Sequence, residues 1–179
     1  MNIFHLSENP KESARMLADK HIVKMIVESC QMLANPYYTS LGIFTLKGLT
    51  TVEEERVVEV FDGFPRDIPY RISHIYHPSS MWVYGSLSNW YWLLLHVEEM
   101  LRQYTLRYCK FHACSNVVDW YFSKPPDIED VGLTEFAQAM PDEYKDIDPV
   151  VAYRNYYIGE KKWAKWKMGD MYIPKFYRI

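Results

Sequence analysis

Between Leu17 and Leu33 the chain reads LADKHIVKMIVESCQML, and this stretch constrains the fold more than any other. Together with the residues before it, it repeats apolar and small side chains at Ala14, Leu17, Ala18, Ile22, Met25, Ile26, Ser29 and Leu33. Steps of three and four residues are those of a helix with one buried face. Upstream, Asn9 has the character of an N-cap, with Pro10 at the first helical position and Glu12 three residues after the cap. The pattern predicts one helix starting near Pro10 and ending at the NPYY of Asn35 to Tyr38.

Charged and polar residues interrupt this apolar stripe. His21 and Glu28 are seven residues apart, two turns and about 10 Å along the axis, so they project from the same side. Lys24 lies between them, where it can pair with Glu28. A buried carboxylate without a partner costs several kcal/mol, so Glu28 must be paired, neutral or facing a cleft. Two readings follow: an ion pair on a half-wet helix edge with His21 hydrogen-bonded in the core, or one wall of a catalytic cleft.

The remaining chain also reads as helical. HPSSMWVYGSLSNWYWLLLHVEEMLRQYTLRY repeats large residues at Trp82, Trp90, Leu93, Leu94, Val97, Leu101, Tyr104 and Tyr108, which predicts a long central helix opened by a serine cap and bent at Gly85. Ser115 opens a shorter helix, and Asp148 with Pro149 a final one. The segment from about 39 to 69, with Thr51 and Glu54 as a capping box, suits either a helical or a hairpin insertion. The expected fold class is mainly α, a single compact helical domain over residues 1–179.

Charge is unevenly placed. The chain carries a formal net charge of −3, yet the last 26 residues, from Arg154, hold seven bases and two acids. Within this segment Lys162, Lys165 and Lys167 alternate with Trp163 and Trp166. Lysines can meet phosphates while flat rings stack on exposed bases; the other use of the same residues is to dock the C-terminus on an acidic body, with the lysines solvated. No early apolar run and no stretch near the ~20 uncharged residues of a membrane span is present, so the expectation is a soluble, cytoplasmic protein. Cys30, Cys109 and Cys114 have no zinc spacing and suit reduced thiols. His74 and His77 precede the central helix; with His21 they make only a weak metal motif, and neither a metal nor a cofactor is expected.

Several stretches, NIFHL, ADKHIVKMIVESCQML, YRISHIYHPSSMWV, NWYWLL, AMPDEYK and DPVVAYRNYYIGEKKWAKWK, resemble a family of small proteins found mostly in bacteriophages. More distantly, Asp19, His21 and Glu28 in ADKHIVKMIVE resemble the first long helix of phage pyrimidine-dimer DNA glycosylases of the endonuclease V type. That resemblance implies DNA as the partner and cleavage of a base–sugar bond by an amine that attacks the sugar C1′. Glu28 would be the key carboxylate, His21, Lys24 and Arg154 would orient it or bind phosphates, and His74, His77 and the Lys162–Lys167 segment would lie near the substrate. The amine would be that of Met1, since the bulky Asn2 disfavours removal of the methionine before it, or else Lys24. Alternative functions are action on a small nucleotide or modified base, or binding of a host protein through aromatic residues.

Overall fold

The structure, a computed structural model, describes residues 1–43 and 67–178. The capping box at Thr51 and Glu54, and most of the expected insertion, lie outside the described residues. Among the described residues there are six α-helices and no strand: α1 (Pro10–Met16), α2 (Asp19–Thr39), α3 (Pro78–Tyr84), α4 (Leu87–Tyr108), α5 (Ser115–Ser123) and α6 (Pro149–Glu160). The mainly α fold is therefore as expected. The central helix α4 packs against α1, α2, α3 and α5, and its Trp90, Leu93, Leu94, Val97 and Met100 meet Ile22, Ile26 and Leu33 of α2 in the core. No described helix is long and apolar enough to cross a membrane.

The first nine residues form no helix but are threaded through the core, with Ile3, Phe4, His5 and Leu6 all buried. An extended chain in an apolar interior must find partners for its backbone polar groups. Here side chains supply several: Ser13 Oγ accepts from Leu6 N at 3.0 Å and donates to the Phe4 carbonyl at 2.9 Å. Trp92 donates to the Glu8 carbonyl at 2.7 Å, and Arg154 to the Leu6 carbonyl at 3.0 Å.

Three helix boundaries differ from the sequence expectation. The first helix breaks at Leu17 and Ala18, although neither is a helix breaker and both fit the apolar stripe. Tertiary partners compensate for the interruption. The Leu17 carbonyl accepts from Arg107 at 2.8 Å, Ala18 N donates to the Tyr157 hydroxyl at 2.8 Å, and Asp19 N donates to the Lys165 carbonyl at 2.9 Å. Conversely, α2 does not stop at NPYY but runs through Pro36 to Thr39. Buried Asn35 secures that region by pairing with both backbone groups of Ser73, at 2.9 and 3.1 Å.

The third difference lies in the central segment, which is two helices rather than one bent helix. Gly85 ends α3, where an added Cβ would sit 3.2 Å from the Met81 carbonyl, and α4 starts anew after Ser86. His77, not a serine, caps α3, its Nδ1 accepting from Ser79 N at 3.2 Å. The caps at Asn9 and Asp148 form as expected, each side chain accepting two amide protons of its helix.

Candidate active site

Threading the N-terminus through the core brings the α-amine of Met1 beside α2, where it stands 3.4 Å from Glu28 Oε2. Lys24 approaches the other carboxylate oxygen at 3.2 Å, the one-turn pairing expected from the sequence. The Glu28 side chain is 17 % exposed and that of Met1 5 %, so this is a half-sheltered pair. Oε2 itself is hidden from solvent and, among the described residues, accepts no aligned hydrogen bond, so its contact with the amine is electrostatic.

His21 stands on the same side of α2, buried. Its Nδ1 is hydrogen-bonded at 2.7 Å to the Tyr157 hydroxyl, which also accepts from Ala18 N. Phe4 stacks on the imidazole at 4.3 Å and the edge of Trp163 meets it at 5.1 Å. Burial, reinforced by the charges of Lys161 and Lys24, lowers the His21 pKa to about 3. The ring is thus neutral at physiological pH, a fixed wall rather than a charged acid.

These groups line a cleft of about 410 Å³ formed by Met1, Asn2, Phe4, Lys20, His21, Lys24, Met25, Glu28, Tyr156, Lys161 and Trp163. Its lining carries four cationic groups, the Met1 amine, Lys20, Lys24 and Lys161, against the one carboxylate of Glu28. A chain of negative net charge thereby carries a positive field at this opening. Aromatic faces flank the cations: Lys20 lies 5.0 Å from the Trp163 ring centroid and Lys161 4.3 Å from that of Tyr156. Lys20, Lys161, Tyr156, Phe4 and Asn2 were not singled out by the sequence, because only the chain path brings residues 2–4, 20–28 and 156–163 together.

The other sequence candidates take different places. His77, at the start of α3, feels both ends of the central pair: burial, the Met1 amine and His74 lower its pKa, while Glu28 raises it. His74 lies nearby in a left-handed backbone conformation with φ 48°. Trp163 is 40 % exposed at the cleft edge, and Lys162, Lys165 and Lys167 are exposed beyond it. Trp166 instead docks the tail: it is buried, donates to the Met16 carbonyl at 3.2 Å and packs on Tyr177 at 4.9 Å. Arg154 does not line the cleft; it holds the Leu6 carbonyl and rests on the Phe176 ring at 5.3 Å. Among the described residues no group of three His, Cys, Asp or Glu side chains is placed to hold a metal.

These features define a class: a small helical protein whose positive, aromatic cleft encloses an amine beside a carboxylate. The family follows from the sequence match, since the family model for pyrimidine dimer DNA glycosylase matches residues 1–116, and the chain belongs to that family. The matched region contains Met1, His21, Lys24, Glu28, His74 and His77 and ends before Arg154 and the lysine-rich tail. No curated protein and no solved structure matches the chain.

Proposed function

We propose that this protein removes a damaged pyrimidine from DNA by cleaving its base–sugar bond and then breaks the strand at the resulting abasic sugar, with Met1 and Glu28 as the reacting pair. The observation that supports this reading best is the 3.4 Å amine–carboxylate contact inside a cationic cleft, in a chain of this family.

Attack on C1′ needs a free amine, and the Glu28 carboxylate is placed to take the ammonium proton. The new C1′–N bond displaces the base, which leaves with the electrons of the glycosidic bond. The attacking nitrogen then gives its second proton to the departing base, and its lone pair opens the sugar ring to a protonated imine, the ring oxygen taking the proton held on Glu28. Loss of a C2′ proton expels the 3′ phosphate and cuts the strand. Lys24 balances the Glu28 charge, and neutral His21 keeps the wall rigid. Lys20, Lys161, Lys162, Lys165 and Lys167 contact phosphates, and Trp163 offers a face to a base taken out of the stack.

The test incubates the purified protein, its intact mass confirming Met1 as first residue, with duplex DNA bearing a pyrimidine dimer or an abasic site, and adds borohydride. A covalent adduct that disappears in Glu28→Gln or after acylation of the α-amine supports the reading. Absence of both adduct and strand cleavage overturns it and points to a free nucleotide as ligand.

A further inference from the structure

Asn2 lines the same cleft, yet its side chain turns away from the amine and toward three other parts of the fold. Its Nδ2 donates to the Ala139 carbonyl at 2.8 Å. Its Oδ1 faces the Tyr153 hydroxyl of α6 at 3.1 Å and Ser79 Oγ of α3 at 3.5 Å. Tyr153 has one proton to divide between Oδ1 and the Ala137 carbonyl at 2.7 Å, so the Ala139 bond is the firm one. A carbonyl on one side and hydroxyls on the other leave a single consistent orientation for the amide.

Met1 is held from the same direction. Its side chain is 5 % exposed, and its sulfur accepts from Ser80 Oγ at 3.7 Å. Ser79 and Ser80 belong to the first turn of α3, which His77 caps. The first turn of α3, the 137–139 segment and α6 thus converge on the first two residues of the chain. A slip of one residue would carry the α-amine about 3.8 Å along the chain, further than its whole separation from Glu28.

We infer that Asn2 is a positioning residue whose side-chain amide sets the register of the N-terminus, so that the amine of residue 1 faces Glu28. The catalytic consequence rests on the function proposed above; the positioning itself does not. Asn2→Leu keeps a side chain of similar bulk and removes every hydrogen bond, Asn2→Gln keeps the amide one carbon further out, and Asn2→Asp removes the donor to Ala139.

The experiment reads position and chemistry separately, on full-length chains whose intact masses retain Met1. Position is read by reductive ¹³C-methylation of the α-amine, whose NMR signal should shift on Glu28→Gln in the native background and stay unchanged by Glu28→Gln in the Asn2→Leu background. Chemistry is read by the rate of borohydride trapping on abasic-site DNA, which should fall at least tenfold in Asn2→Leu while DNA affinity holds within twofold, with partial rescue in Asn2→Gln. A signal in Asn2→Leu that still follows Glu28 overturns the inference, whatever the trapping rate. Loss of that coupling in a protein whose native form traps no DNA would uphold the positioning role and discard the glycosylase reading. If Asn2→Leu loses helical signal or melts more than 10 °C lower, Asn2→Asp takes its place in both measurements, and retained coupling there overturns the inference equally.

Discussion

Arg107 of the central helix reaches Asp19 at the start of α2, with Nη1 to Oδ1 at 3.1 Å. The same guanidinium donates to the carbonyls of Leu17 at 2.8 Å and Arg15 at 3.2 Å, and so closes the gap where α1 gives way to α2. The second oxygen of Asp19 accepts from Lys167 N at 2.7 Å. One carboxylate therefore ties the central helix, the helix bearing His21 and Glu28, and the basic tail into a fixed arrangement around the cleft.

Arg107→Ala should be among the more damaging single changes. The Arg107 side chain is 1 % exposed, and its loss takes the cation from Asp19, which keeps the Lys167 amide, and a donor from the carbonyls of Leu17 and Arg15. Removing one partner of a buried pair costs about 3–5 kcal/mol. A denaturant melt followed by circular dichroism should show that loss, and a change under 1 kcal/mol would remove Arg107 from the account of the helix break.

Glu28→Gln should separate chemistry from stability. The substitution preserves shape but cannot accept the amine proton, so strand cleavage should fall at least 100-fold, equivalent to about 2.7 kcal/mol of barrier. The melting temperature should move by only a few degrees. A collapse in stability with proportionate loss of activity would make Glu28 a structural residue.

Replacing Lys162, Lys165 and Lys167 together with Ala tests the exposed part of the tail. If each neutralises a phosphate, the slope of log affinity against log salt should become shallower by about 2–3. Trp166 should stay docked in this variant, because it packs on Tyr177 rather than on a ligand. Binding with an unchanged salt slope would place the DNA elsewhere on the surface.

Acid should destabilise the fold through three buried imidazoles. Burial lowers the pKa of His21 to about 3 and that of His96 to about 4, and drives that of His5 well below the usual histidine value. Each binds more protons unfolded than folded once the pH drops below about 6.5, so stability is full above that value and declines as pH falls toward 4 and 3. Among the described residues His5 has no hydrogen bond on either nitrogen, and it stacks on Phe136 at 4.0 Å. His5→Phe should therefore be neutral or stabilising at pH 7 and should flatten the decline of melting temperature between pH 6.5 and 4. An unchanged slope would mean that His5 does not contribute to it.

What the sequence determined by itself was local. Spacing of apolar residues gave the helices, Asn9 and Asp148 gave two of their starts, and seven-residue spacing placed His21 and Glu28 on one face with Lys24 between them. Tertiary structure decided where those helices break and what completes the site. The break at Leu17 and Ala18 is stabilised by Arg107, Tyr157 and Lys165, residues far away in the chain, and no local propensity marks it. Likewise Tyr156, within α6, and Lys161, just after it, reach the cleft because Tyr157 anchors that helix on Ala18 and His21, while Asp19 and Trp166 dock the tail that follows. The Met1 amine meets Glu28 for the same kind of reason: an extended N-terminus can lie in an apolar core only where side chains such as Ser13, Trp92 and Arg154 satisfy its backbone, and those partners are set by packing rather than by sequence distance.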